Sequence, residues 1–407
     1  MKIGLDARYL THPQEGGFRT YTQSLIAAIA RIDQRNEYVL YTDRPADLTP
    51  TLSFEERGLA SNFRTRVVSG SLPVREQVAL PIALARDRVD VAHFLCNTAP
   101  LLITCPFVLT IHDVIPCLPE AFPRPFGSRK TRLLDRYWRE VIPLAASRAA
   151  RIVTVSESSS LDIQRVLGMP AERIDVMHNG IDPSFRTLDP DALRTVLQTT
   201  DLPSDRFFLG FLSKEPRKNS VGILRAFKIL SERVSDCGLV LVSSSRDDVA
   251  IVSESSLRDP RIIALRGVSR DRLVALYNAA VALVFPSYAE GFGLPIVEAM
   301  ACGAPVITST AGSLPEVAGD AALLVDPGNT NGIAQAMLAV LTDERLSRSL
   351  RTRGLERARR FSWEETARRM VATYMAVGAT WRREASRPPA ESEAAGGAVG
   401  DSEEAAR

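Results

Sequence analysis

The chain is predicted to be an α/β protein with two domains, each built on an open parallel sheet. Three observations predict this. Short apolar runs recur between helical or turn-rich segments, at Tyr38 to Thr42, Phe63 to Val68, Val89 to Leu95, Phe107 to Ile111 and Phe207 to Leu212. Val281-Ala-Leu-Val-Phe285 has no charge, as a strand buried on both faces requires. A glycine-bearing loop then leads to a helix that Pro295 opens and Gly303 closes, and Val306-Ile-Thr308 resumes as a parallel strand. Finally, 407 residues at 45% apolar and 24% charged suffice for two sizeable cores. The expected boundaries are 1–185 and 206–360 for the domains, 186–205 for a linker, 361–380 for a last helix and 381–407 for a tail. From Trp381 onward Ala, Glu, Gly, Ser, Pro and Arg dominate without an apolar period, so the tail is read as disordered.

In the first domain Lys2-Ile-Gly-Leu-Asp6 is the first strand. Gly16-Gly17 precedes an amphipathic helix with Tyr21, Leu25, Ile29 and Ile32 on one face. A glycine pair lets backbone amides meet an anion, although a surface turn is the commoner meaning. Neither G-x-G-x-x-G nor a P-loop is present, so a dinucleotide or ATP finds no support. The run Phe107 to Ile111 ends in His112-Asp113, at the strand end where parallel sheets present site residues. On the residues alone, a satisfied core histidine is the default.

The segment 124–151 interleaves Arg129, Lys130, Arg132, Arg136, Arg139 and Arg148 with Leu133, Leu134, Tyr137, Trp138, Val141 and Ile142. It is read equally as a helix lying on an anionic membrane surface and as a solvated surface helix. Ser156, after the strand Ile152 to Ser156, is expected to cap a helix. Asn179-Gly180 marks a turn into the linker. Asp189-Pro190-Asp191 is read as a helix-start turn, not a metal site.

In the second domain Arg217 and Lys218 lie between a strand and a helix, where adjacent cations can neutralise a departing diphosphate, although on the residues alone a surface turn is the default. Glu290 and Glu298 flank the helix start after Gly293, whose free N–H groups favour a phosphate. A carboxylate accepting two hydrogen bonds suits a vicinal diol, so the set suggests a nucleotide sugar. A loop cap and a solvated helix residue are the bland alternatives for the two glutamates.

Glu290-Gly-Phe-Gly-Leu-Pro-Ile-Val-Glu298, followed by Ala299-Met-Ala-Cys-Gly-Ala-Pro-Val306, Gly312-Ser-Leu-Pro-Glu316 and Gly319-Asp-Ala-Ala-Leu-Leu-Val-Asp-Pro327, resembles the signature of the family 4 retaining glycosyltransferases. The resemblance implies the GT-B fold: two Rossmann-like domains with the donor in the cleft between them, and a C-terminal helix crossing back to the first domain. It also implies roles. Gly16 and Gly17 approach the donor diphosphate. His112 contacts the donor sugar, with Asp113 as its orienting or acceptor-side partner. Glu215-Pro-Arg-Lys-Asn219 is similar to the family's phosphate-binding segment, which assigns Arg217 and Lys218 to the diphosphate, together with Phe292, Gly293 and Leu294 at the helix start. Glu298 holds the ribose and Glu290 the sugar. The segment from Val268 to Tyr277 resembles the one that meets the nucleobase through backbone groups. One departure stands out: relatives usually carry a glycine shortly before Glu215-Pro216, where this chain has Leu212-Ser213-Lys214.

The resemblance further implies that no cofactor and no metal is required. The donor is a nucleoside-diphosphate sugar, GDP-activated by analogy with mannosyl- and rhamnosyltransferases of polysaccharide and lipopolysaccharide assembly. The acceptor is a glycan or a polyprenyl-linked chain. A net charge of +2 argues against nucleic acid. Asp6 so near the start argues against a signal peptide, and Asn97, Pro100 and Pro106 spoil the uncharged stretch 94–111 as a membrane helix. Five cysteines without metal or redox spacing are read as buried thiols of a reducing cytoplasm, and four scattered histidines suggest no zinc site. The expected place is therefore the cytoplasm, with peripheral contact at the inner membrane face through 124–151. Two rivals are carried forward: a nucleotide-sugar epimerase or phosphorylase on the same fold, which turns over without an acceptor, and a non-catalytic partner subunit, which would be expected to lack one of Glu290, Glu298, Arg217 or Lys218.

Overall fold

A computed structural model describes residues 1–11, 16–45, 53–54, 58–118, 129–198, 202–243, 248 and 259–385. The first domain is built on seven strands: β1 (Lys2–Asp6), β2 (Glu37–Thr42), β3 (Phe63–Val67), β4 (Val91–Phe94), β5 (Phe107–Thr110), β6 (Arg151–Thr154) and β7 (Ile174–Val176). Their order is β3-β2-β1-β4-β5-β6-β7, all parallel. The second domain has six: β8 (Phe207–Phe211), β9 (Gly238–Ser243), β10 (Ile262–Arg266), β11 (Ala282–Phe285), β12 (Val306–Ser309) and β13 (Leu323–Val325). They run β10-β9-β8-β11-β12-β13, again all parallel. Strand order reverses between β1 and β4 in one sheet and between β8 and β11 in the other. Open α/β sheets bind ligands at such reversals, outside the carboxyl ends of the strands.

The central strands β4, β5, β11 and β12 are buried at every position, which their apolar sequences anticipate. β3 does not follow the expected apolar pattern. It is an edge strand with Arg64 and Thr65 exposed, and Arg64 and Arg66 pair with Asp87; charge on an edge discourages pairing with another chain. Two expected caps form as read: the Ser156 side chain accepts from the Ser159 N–H at the start of the helix Glu157–Leu167, and Asp189 accepts from the Asp191 and Ala192 N–H groups.

The helices that matter for the site are α1 (Gly17–Ile32), α2 (Leu80–Asp87), α3 (Arg129–Arg148), α4 (Glu157–Leu167), α5 (Ser220–Ser231), α6 (Arg270–Ala279), α7 (Leu294–Ala301), α8 (Leu314–Ala318) and α9 (Trp363–Ala385). α9 returns from the second domain and packs on the first. Trp363 meets Tyr21 edge-on, and the Tyr374 hydroxyl lies 2.6 Å from Nδ1 of His93, whose Nε2 lies 2.7 Å from the Thr110 hydroxyl. Met370 and Tyr374 are fully buried, each contributing at most roughly 1.5–3 kcal/mol.

The expected end of this helix at 380 is corrected: α9 continues through Ala385. Arg382 reaches Asp90 of the first domain, and Arg, Glu and Ala are strong helix formers, so the compositional change at Trp381 does not stop the helix. The rest of the expected tail, 386–407, lies outside the described residues, as does 124–128 of the basic segment. The cysteines need a smaller correction. All five are free, but only Cys96, Cys237 and Cys302 are fully buried, while Cys105 and Cys117 are partly buried. Among the described residues no helix is long and apolar enough to cross a membrane.

Candidate functional site

Beyond β8 the chain makes a single helical turn, Pro216–Lys218, ended by Asn219 in the left-handed region (φ 56°). The Asn219 amide donates to the carbonyls of Pro286 (3.0 Å) and Pro327 (2.7 Å), and Tyr288 N–H donates to Arg217 O at 2.7 Å, which fixes the turn against the loop after β11. Arg217 and Lys218 therefore meet Glu290. Lys218 Nζ lies 2.7 and 2.9 Å from the two carboxylate oxygens, and Arg217 Nη1 lies 3.1 Å from Oε2. Arg217 also pairs with Glu215 at 2.7 Å and donates to Ala289 O at 3.1 Å. Burial acts to raise the Glu290 pKa, but the charges of Lys218 and Arg217 outweigh it and hold the carboxyl below its ordinary value. Glu290, expected to meet a sugar, is thus also the counter-ion of the two cations expected to meet the diphosphate.

His112 and Asp113 face this cluster from the first domain. The approach is close: a Cβ on Gly291 would lie 2.3 Å from His112 O. Burial raises the pKa of Asp113; Arg217 and Lys218 oppose the rise and Glu290 adds to it, so all four groups share one field. The His112 ring packs edge-on against Phe18 and Tyr21, and Nε2 donates to Leu95 O at 2.9 Å. A carbonyl can only accept, so the proton sits on Nε2 and Nδ1 is the acceptor nitrogen. Burial lowers the His112 pKa to about 4, which keeps the ring neutral.

Glu298 lies in the second turn of α7, within 3.1 Å of the Tyr277 hydroxyl of α6. Burial raises its pKa to about 7, the Tyr277 bond and Arg270 acting in the opposite direction and Asp182 with it. Arg270 is itself paired with Asp182, and Val268 lies in the turn just before α6. Gly293 precedes α7 at φ 100°, a conformation open to glycine, and Leu294 is its first residue. The Phe292 side chain is buried against His178 and Phe361, so only its backbone is available to a ligand. Gly16 and Gly17 lie exposed at the start of α1, next in sequence to the Phe18 that touches His112. The Ser213 and Lys214 N–H groups, in the stretch where the family resemblance leads one to expect a glycine, are bonded to Ser220 Oγ and Asp248 at 2.9 Å each. The structure thus gathers His112, Asp113, Arg217, Lys218 and Glu290, with Glu298 on α7 and Val268 just before α6.

Sequence reading missed two features. A buried network at the β1–β4 reversal joins Asp6, Arg8, Arg75 and Glu76, with Thr98 and Tyr137 donating to Glu76 at 2.6 Å each. Glu316, quoted only as part of a motif, reaches across to the first domain. No local pattern signals either, because the partners lie far apart in the chain. Tyr137 and Trp138 turn inward, leaving Leu133 and Leu144 exposed on α3 beside Arg132, Arg136 and Arg139.

Two parallel-sheet domains facing one another across a charged cleft, tied by a returning helix, define the GT-B class of glycosyltransferase. Residues 15–185 match the model of glycosyltransferase family 4, and residues 198–357 match that of the glycosyl transferases group 1. O-antigen chain mannosyltransferase B of Escherichia coli is 35% identical over 66% of this chain and 69% of that protein. D-inositol 3-phosphate glycosyltransferase of Mycolicibacterium smegmatis is 32% identical over 60% of this chain and 56% of that protein. Among solved structures, WaaG, a glycosyltransferase involved in lipopolysaccharide biosynthesis, superimposes with a TM-score of 0.69 at 16% identity, over 91% of this chain and 98% of its own. Sucrose-phosphate synthase from Thermosynechococcus elongatus gives 0.69 at 21% identity, over 93% and 99%. The chain belongs to glycosyltransferase family 4.

Proposed function

We propose that this glycosyltransferase moves a hexosyl residue, of mannose or rhamnose type, from a nucleoside-diphosphate sugar to a glycan or polyprenyl-linked acceptor in cell-surface polysaccharide assembly, with retention of configuration. The observation that carries the reading is the convergence of Lys218 and Arg217 on Glu290 within 3.1 Å at the strand-order reversal of the second domain. The E. coli relative, an O-antigen chain mannosyltransferase, supports the sugar and the pathway. GDP is the favoured nucleotide.

In this mechanism the donor diphosphate lies against Arg217 and Lys218, and the cations stabilise charge as the bond from anomeric carbon to phosphate oxygen breaks. The start of α7 at Gly293 and Leu294 adds its dipole. This arrangement handles the diphosphate without a bridging metal. Glu298 accepts from the ribose hydroxyls, the turn at Val268 meets the base, and Glu290 meets the sugar hydroxyls. His112 Nδ1 accepts from the sugar on the opposite wall, with Asp113 beside it. The acceptor oxygen attacks from the face the leaving group vacates, and its proton passes to the departing phosphate oxygen. Exposed Leu133 among Arg132, Arg136 and Arg139 suits peripheral contact with an anionic membrane, which sedimentation with phosphatidylglycerol vesicles tests.

The test is to incubate the protein with GDP-mannose and a mannose oligosaccharide and to read the product linkage by proton NMR. Acceptor-dependent formation of an α-mannoside is expected. Conversion of the donor without any acceptor would favour an epimerase or phosphorylase. Inertness toward GDP, UDP and ADP sugars alike would favour a non-catalytic subunit.

A further inference from the structure

The first turn of α4 meets the second domain through an unusual set of bonds. Glu316 in α8 accepts from the Glu157 N–H at 2.9 Å and the Ser158 N–H at 3.1 Å, two donors that the start of a helix leaves without an internal partner. His178 Nε2, on the segment between β7 and the linker, donates to the same carboxylate at 2.8 Å. Beside this contact, Ser156 and Ser159 donate through Oγ to Gly291 O at 2.7 and 3.1 Å, and Ser159 Oγ also lies 2.9 Å from His112 O. Ser313, one residue before α8, donates to Glu290 O at 2.9 Å and Phe292 O at 3.1 Å. One short stretch, Ser313 to Glu316, therefore grips the Glu290 loop at one end and the first domain at the other.

The chemistry favours a firm contact. A carboxylate at a helix start is stabilised by the helix dipole as well as by the two bonds. Its pKa is lowered: burial acts to raise it, and the bonds from His178, Glu157 and Ser158 outweigh that. Arg357 donates to the carbonyls of Glu316 and Val317, which fixes α8 from the other side.

We propose that Glu316 is a positioning residue. It holds the first domain against the Glu290 loop, so that His112 and Asp113 stand opposite Arg217, Lys218 and Glu290 for transfer. The proposal rests on the reading of that cluster as the donor side of the cleft. Glu316 touches no substrate in this account; it acts through α4 and the Gly291 carbonyl.

Two substitutions test it. Glu316→Ala removes the carboxylate. Glu157→Pro removes one donor at the first position of α4, where proline is favoured, after Ser156 whose extended backbone (φ −156°, ψ 158°) tolerates a following proline. Both variants should show a larger radius of gyration than wild type by small-angle X-ray scattering without ligand. They should also lower kcat roughly ten- to hundredfold, because misplaced reacting groups cost rate. GDP and UDP titrated into each should bind within about twofold of wild type, since Arg217, Lys218 and Glu298 all lie on the second domain. Glu316→Gln, which keeps one accepting oxygen, should recover part of the rate. Unchanged scattering in Glu157→Pro would overturn the proposal, and that arm decides even where Glu316→Ala fails to fold or wild type shows no transfer. Nucleotide affinity falling in step with kcat would also overturn it, by assigning Glu316 a general structural role.

Discussion

Lys218 Nζ sits 2.7 and 2.9 Å from the two oxygens of Glu290, so one carboxylate neutralises the cation that the donor diphosphate would otherwise meet. Arg217 joins the same group. In the proposed reaction a diphosphate would have to share or displace this anion, and Glu290 would become available to a sugar hydroxyl as the phosphate takes up the cations.

Substituting Glu290→Gln follows from this. The ion cluster is mostly buried, with side chains 9%, 19% and 26% exposed for Glu290, Arg217 and Lys218. Loss of the charge should lower stability by about 1–3 kcal/mol. It should also lower kcat roughly a hundredfold. Thermal denaturation with and without GDP checks the first part: nucleotide should stabilise the variant more than wild type, because it supplies the missing anion. An equal shift in both proteins would separate the cluster from the diphosphate.

Glu298 gives a pH prediction. Its folded pKa, raised by burial to about 7 from 4.5, means that the fold favours the protonated form. The cost of ionising it is absent below pH 4.5, grows between pH 4.5 and 7, and is complete above pH 7, on the order of 3 kcal/mol. Glu298→Gln, which keeps an acceptor for the Tyr277 hydroxyl, should therefore be more stable than wild type at pH 8 and equal to it at pH 4. Melting temperatures across that range decide the matter.

Under its proposed role at the ribose, the same carboxyl would link donor binding to protons. Ribose hydroxyls bond best to the ionised form, so binding near pH 6.5 should release a proton from Glu298. Calorimetric enthalpies of nucleotide binding measured in buffers of different ionisation enthalpy should depend less on the buffer in Glu298→Gln than in wild type, the remainder coming from the nucleotide's terminal phosphate.

Gly291→Ala tests the contact between domains. The new Cβ would lie 2.3 Å from His112 O, far inside van der Waals contact, so the Glu290 loop and the His112 strand end must separate. Turnover should fall more than about tenfold with nucleotide affinity retained. A variant as active as wild type would remove the close approach from the account.

Much of this arrangement was legible in the sequence because its signals are local. Uncharged runs such as Ala282–Phe285 and Val306–Ser309 can only be buried strands, and Ser156 and Asp189 announce helix starts within three residues. Arg217, Lys218, Glu290 and Glu298 lie around strand ends and a helix start, but that placement alone favours a surface turn and ordinary glutamates; the resemblance to family 4 glycosyltransferases singled them out. What stayed hidden depends on distant partners. Nothing near Arg75 indicates that Asp6, 69 positions away, will bury it, and nothing near Glu316 indicates Glu157, 159 positions away. β3 misled because an edge strand needs only one apolar face. α9 ran past its expected end because helix formers continue beyond the apolar period.

The most direct test of the donor site is isothermal titration of GDP and UDP into wild type and Lys218→Ala. Wild type should bind a nucleoside diphosphate, and removing Lys218 should weaken this by about 1.5–3 kcal/mol, roughly ten- to a hundredfold. Equal affinity in the two proteins, or no binding of either nucleotide to wild type, would contradict this expectation.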